Sequence, residues 1–160
     1  MSIGMYEIVL SEVATMENDT YNLERFIRAQ KEDFETAYNE VSNGRKVSHW
    51  MWYIFPKIIG LGRTGISVEY AIKSLDEAKA YMEEPYLRGN MIKICEALLA
   101  LTTNDPHQVM GSPDDLKLRS SMTLFSLAVP EEEIFQKVLD KYYYGKPDER
   151  TIEIIRGMGL

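Results

Sequence analysis

The sequence holds one cysteine and two histidines, and between Val41 and Val68 it holds no aspartate or glutamate at all. Each shortage excludes something. A single thiol, Cys95, cannot build a disulfide framework, and its place beside Met91, Ile92, Leu98 and Leu99 on an apolar helical face marks it as core. His49 and His107 lie far apart in the chain, so with one thiol they offer no metal-ligand spacing, and no metal or other cofactor is expected. There is no apolar run of the ~18 residues that a membrane-crossing helix requires, and no charged-then-apolar leader. A cytoplasmic protein with no membrane partner is the expectation.

What is there is 160 residues, 45% of them apolar, enough for one compact domain with a sizeable core. The net charge of -7 argues against binding a nucleic acid polymer, whose grip rests on phosphate neutralisation by Lys and Arg. Against that acidic background, Arg45, Lys46, Lys57 and Arg63 all fall inside the acid-free stretch. Positive charge concentrated in this way steers small anions.

The rhythm of the chain is helical. Residues 1–19 are weakly patterned and polar apart from Ile8-Val9-Leu10, and 20–160 are expected to form the domain. From Tyr21 to Val41 the apolar residues recur at steps of three and four, with Thr20 or Asn22 as candidate caps and Gly44 as the left-handed stop. Ser48 to Phe55 has no amphipathic period, so it should be buried on most sides, and Pro56 ends it. A short helix is expected over Ser67 to Lys73, and Ser74 with Glu77 forms a capping box for the next. Pro85, Asp105-Pro106, Ser112-Pro113, Val129-Pro130 and Pro147-Asp148 each read as a further helix start, and Glu131 to Glu133 as carboxylates favouring a helix dipole. The class expected is all-α, with room for a minor strand pair near the N-terminus.

Within that frame three clusters carry chemistry. Gly60-Leu-Gly62-Arg63-Thr-Gly65 spells the G-x-G-x-x-G fingerprint, but the region after it reads as helices without a second strand, which argues against a dinucleotide-binding βαβ unit. A plain turn and a glycine loop presenting N–H groups to an anion remain. Arg45, Lys46, Ser48 and His49 combine a planar fork, a point charge, a hydroxyl and an imidazole, a set suited to an anionic ligand, with His49 the candidate acid or base. Equally, Ser48 could cap the aromatic run and His49 bond only to backbone. Of Trp50, Trp52, Tyr53 and Phe55, most must be core because an aromatic ring buries roughly 150–250 Å². Trp52 is the one assigned to a pocket wall. Lys117, Arg119, Ser120, Ser121 and Thr123 form the third cluster, able to line a pocket or simply to bond back to the preceding helical turn.

Several stretches resemble a known family: "RFIRAQ", "GRKVSHWMWYIFP", "SVEYAIKSLDEAKAYM", "GSPDDLKLRSSMTLF" and "FQKVLDKYYYGKPDERT". They resemble the domain of unknown function 1810 family, some of whose members carry a calpastatin label, over residues from about 21 to 155. The resemblance implies a small, mainly helical domain and brings no activity with it. Lys57 departs from the glutamine usual after that proline, and "EPYLRGNM" departs from a typical His-Pro-x-Leu-Gly-x-Arg-Leu. A fainter similarity joins Ala29-Gln30-Lys31 to the NADAR, or YbiA-like, domains linked to ADP-ribose and N-glycoside hydrolysis.

The leading expectation is a pocket between the 44–65 segment and the 117–123 turn that binds a nucleotide or ADP-ribose-like anion. Arg45, Lys46, Lys57 and Arg63 would neutralise phosphate, with Lys117 and the Gly62 backbone beside them. Trp52 or Tyr70 would stack on a base, and Ser48, Ser120, Ser121 and Thr123 would hydrogen-bond to sugar or phosphate. Such a protein either sequesters and senses its ligand or, with His49, hydrolyses it. The alternative is a protein-interaction module whose basic aromatic segment receives an acidic partner or a second copy of itself.

Overall fold

The structure is a computed structural model, and it describes residues 19–159. Among those residues there are nine helices: α1 Glu24–Ser42, α2 Met51–Ile54, α3 Gly65–Glu69, α4 Leu75–Glu83, α5 Pro85–Ala100, α6 Pro106–Met110, α7 Asp114–Ala128, α8 Ile134–Tyr143 and α9 Glu149–Gly157. The fold is all-α. The expected N-terminal strand pair falls largely outside the described residues. The only β pairing among those described is one parallel bridge between Ile58 and Ile72, which ties the segment after α2 to the one after α3.

Local chemistry explains most boundaries. Asp19, rather than Thr20 or Asn22, satisfies the start of α1, accepting from Leu23 N at 2.7 Å and Glu24 N at 2.9 Å. Gly44 follows the helix with φ +82°, the left-handed conformation that a Cβ disfavours. Thr64 caps α3, so that helix begins and ends earlier than the expected 67–73 span. Ser74 caps α4 as expected, accepting from Glu77 N at 3.1 Å, but the Glu77 carboxylate reaches back to Lys73 N and pairs with Arg25 at 2.7 Å. Ser112 does not cap α7, which starts without a side-chain cap, and Glu131 to Glu133 lie in the turn ahead of α8 rather than inside it.

The core is continuous. α1 packs on α5, α5 on α8, and α7 on both α4 and α8, around Phe26, Trp50, Tyr81, Phe125 and Phe135, all essentially removed from water. At ~25 cal/mol per Å², such rings dominate the burial term. Gln30 is the polar pin of this core. Its amide donates to Tyr53 O and to Tyr81 Oη, each at 2.8 Å, and accepts from Asn90 at 3.0 Å. Both amide hydrogens are thereby used, and Gln30 joins α1 to α2, α4 and α5 from the inside.

Candidate functional site

The acid-free segment is supplied with carboxylates from elsewhere. Glu40, near the end of α1, accepts from Val47 N at 2.7 Å, Ser48 N at 2.8 Å, Ser48 Oγ at 2.6 Å and Trp50 Nε1 at 3.0 Å. Burial pushes its carboxyl up, but the bonds from Ser48, Val47 and Trp50 outweigh this and hold it down at about 2. The 46–50 turn is therefore built on one ionised side chain. Ser48 spends its hydroxyl there.

Lys46 enters the fold next. Its side chain is 6% exposed, its ammonium pairs with Asp114 Oδ2 at 3.0 Å and donates to Ser48 O, and it stands 4.8 Å from the Trp50 ring centroid. Asp114, the first residue of α7, also holds Lys117 at 3.5 Å through its other oxygen. The Lys117 ammonium lies 5.9 Å over the Trp52 ring. Trp52 is half-buried, whereas Trp50, Tyr53 and Phe55 are buried, so Trp52 is the ring of the four that meets solvent.

Lys57 completes the cluster and differs from its neighbours. It is half-buried, and among the described residues no carboxylate lies within ion-pair distance of it. Burial lowers its pKa first and Lys117 lowers it further, while Asp114 and Asp148 pull it back up. The ammonium stands 3.7 Å from where a side chain at Gly62 would begin. That same point is 2.6 Å from Ser67 Cβ and 2.9 Å from Ser67 Oγ, so only glycine allows the loop to close over α3 with Lys57 beneath it. Trp52, Lys57, Ile58, Gly60, Gly62, Ser67, Tyr70 and Ala71 line the resulting cleft, whose enclosed volume of about 10 Å³ admits one water-sized group. Tyr70 forms part of the wall with its ring engaged by Tyr53 at 5.2 Å and Phe26 at 5.9 Å.

The other expected residues lie elsewhere. Ser120 Oγ donates to Leu116 O at 3.2 Å and to Asp148 Oδ2 at 3.0 Å. Thr123 Oγ1 donates to Arg119 O and accepts from Asp148 N, both at 2.8 Å. These hydroxyls brace Asp148, which caps α9, and do not reach the cleft. Ser121 is fully buried with its hydroxyl unpartnered by protein. Arg63 and His49 are exposed, and the His49 imidazole makes no hydrogen bond or ion pair among the described residues. Its backbone carbonyl accepts from Tyr53 Oη at 3.4 Å. Arg45 is exposed on a different, open groove of about 600 Å³ that it shares with Asn43, Gly44, Lys46, His107, Gln108 and Gly111. Of the four cations and His49 expected to converge, Lys57 alone lines the cleft, while Lys46 is paired with Asp114, which also holds Lys117.

Sequence reasoning missed Asp114 and Ser67. Asp114 stands three residues before Lys117 on α7, a spacing that pairs opposite charges on one helix face, and this signal was available. Ser67 had none, because its role follows from the approach of Gly62. The glycine string itself is not a dinucleotide turn, since no sheet stands among the described residues. Nor do any three His, Cys, Asp or Glu side chains among them form a group able to hold a metal ion.

Comparison with known proteins places this chain in a family. The conserved hypothetical protein Rv1873 from Mycobacterium tuberculosis, known from a crystal structure, is 38% identical, with 85% of this chain and 97% of that one covered at a TM-score of 0.83. No curated protein matches the chain. The profile described as "Protein of unknown function (DUF1810)" matches residues 20–155, and the chain therefore belongs to the DUF1810 family.

Proposed function

We propose that this protein binds a small anionic ligand, a nucleotide or ADP-ribose-like molecule, with its charged group held between Lys57 and Lys117 beside Trp52. The observation that carries this reading is Lys57. Withdrawing an ammonium from water beside a second ammonium, with no carboxylate in contact, is unfavourable in the empty protein. An anion between the two lysines removes both penalties. The enclosed part of the cleft takes only a water-sized group, so the ligand itself lies over its mouth, across Trp52, Tyr70 and the exposed residues 63–66.

Sequestering or sensing fits this arrangement better than hydrolysis. His49, the candidate proton carrier, is exposed and unconnected to the lysines by any hydrogen bond among the described residues. The interaction-module alternative asks for Trp50 and Trp52 exposed together on a flat face, and of the two only Trp52 meets solvent, Trp50 being 1% exposed.

The test is a thermal-shift screen with nucleotides, NAD, ADP-ribose and its cyclic forms on the wild type and on Lys57→Met and Lys117→Met. A ligand that stabilises the wild type should lose about 10- to 100-fold in affinity in either variant, corresponding to one charge-assisted hydrogen bond. An equal shift in wild type and both variants would place the ligand elsewhere and refute the reading.

A further inference from the structure

The open groove of about 600 Å³ between the turn after α1 and the helix α6 shares no lining residue with the Lys57 cleft. Its volume is that of a small-molecule site. The two walls are fixed to each other, because Lys46 N donates to Val109 O at 2.7 Å, and each wall turns on a left-handed glycine, Gly44 or Gly111. No carboxylate lines the groove, although the chain carries 25 acids against 18 Lys and Arg.

The polar groups that do line it are left with hydrogens to give. Arg45 is anchored by its backbone, whose N–H donates to Glu40 O at 3.1 Å, while its guanidinium makes no hydrogen bond or ion pair among the described residues. Gln108 Oε1 accepts from Thr103 Oγ1 at 3.1 Å, which fixes the amide and leaves the Nε2 hydrogens to donate. His107 turns Nδ1 toward Asp115 Oδ2 at 3.8 Å, so Nε2 is the ring nitrogen left over. The Asn43 amide has no partner among the described residues. Lys46 is the exception, since its charge is spent on Asp114. An exposed arginine alone is merely solvated. Here a guanidinium, an imidazole and two amides line one hollow.

We propose that this groove binds a small hydroxyl-rich organic phosphate, of the sugar phosphate class, with the phosphate on Arg45 and His107 and the hydroxyls on Asn43 and Gln108. The planar fork of Arg45 matches two phosphate oxygens at once. The hollow is far larger than a bare phosphate, and amides, which donate and accept, suit hydroxyls. No Phe, Tyr or Trp lines it, so a nucleobase finds no stacking face there, in contrast to the cleft beside Trp52 and Tyr70. The site is independent of Lys57 and Lys117, neither of which reaches it.

The experiment is a proton–nitrogen NMR titration of the whole protein with glucose 6-phosphate, following the Arg45 Nε–H, the Asn43 and Gln108 side-chain amides and, as a reference, the Trp52 indole. Saturable shifts at the groove with Trp52 unmoved are expected. Arg45→Gln should weaken binding about tenfold or more, as for a hydrogen bond to a charged group, and Lys57→Met should leave it unchanged. Gln108→Ala should weaken glucose 6-phosphate about threefold and spare inorganic phosphate. No saturable shift at the groove, or equal affinity in Arg45→Gln and wild type, would overturn the site. Inorganic phosphate binding as tightly as glucose 6-phosphate would overturn the sugar phosphate assignment. Shifts that move to Trp52 and vanish in Lys57→Met would overturn this groove in favour of the lysine cleft.

Discussion

Lys46 and Lys57 make an instructive pair. Both are drawn into the protein beside a tryptophan, and both come from the same acid-free stretch. Lys46 meets Asp114 at 3.0 Å, a carbonyl at Ser48 and the face of Trp50, so its charge is consumed by the fold. Lys57 has no carboxylate in contact among the described residues and has Lys117 for a neighbour, so its charge is left over. The same side chain thus stands in two different electrostatic settings. A buried cation that is fully paired supports structure, and one that is unpaired costs stability and is available for a ligand.

The sharpest way to break this comparison is to remove the partner of the paired member. Asp114→Ala should destabilise the protein by about 3–4 kcal/mol, because it strands the Lys46 ammonium, 6% exposed, without its counter-charge. Urea unfolding with an unchanged slope measures this, and a loss within experimental error would mean that Lys46 escapes to water.

Glu40→Gln comes next, at about 2 kcal/mol near neutral pH, since the amide cannot accept from Val47, Ser48 and Trp50 as the carboxylate does. The sign with pH is definite. Glu40 has a folded pKa held at about 2 against 4.5 unperturbed, so its stabilisation is complete above about 4.5 and is lost as pH falls through about 2. The gap between wild type and variant should therefore narrow across that window, as read by denaturant midpoints at a series of pH values.

Lys57→Met should move stability in the opposite direction. Relieving a half-buried, repelled ammonium should raise the ligand-free stability by roughly 0.5–1 kcal/mol while abolishing anion binding at the lysine cleft. Because the folded pKa of Lys57 lies below its unperturbed 10.5, the wild type should gain stability as pH rises through the lowered value toward 10.5, and the advantage of the variant should fade there. A destabilised Lys57→Met at neutral pH would show the ammonium to be a structural member like Lys46. The smallest effect belongs to His49→Ala, within about 0.5 kcal/mol in stability, as for an exposed side chain with no partner among the described residues. Its ligand affinity should match wild type, and a measurable fall would bring His49 into the site.

Much of the framework was legible before any coordinates. The spacing of Phe26, Gln30, Phe34 and Val41 marked one face of α1, and Ser74, Asp105 and Asp148 announced the starts of α4, α6 and α9 through their capping chemistry. Ser112 misled because a serine before proline looks like a cap, whereas the structure starts α7 at Asp114 with no side-chain cap. The hydroxyls of Ser120 and Thr123 misled for a related reason. Their composition suits a ligand and suits bracing a neighbouring helix start equally well, and the arrival of Asp148 decided for the second. Gln30 shows the same limit, since nothing in its sequence neighbourhood reveals that Tyr53, Tyr81 and Asn90 will surround it.

What the sequence determined by itself was local: helical periods, capped starts, glycine stops, and one stretch where positive charge gathers without acid. What tertiary structure decided was which of those charges would be answered. Glu40 lies just before the segment and Asp114 some fifty residues after it, yet folding brings one under the Ser48 turn and the other onto Lys46. The reason is that pairing energies depend on distance and on exclusion of water. Neither is written in the order of residues along the chain, and both are set only when α1, α2 and α7 close around a shared core.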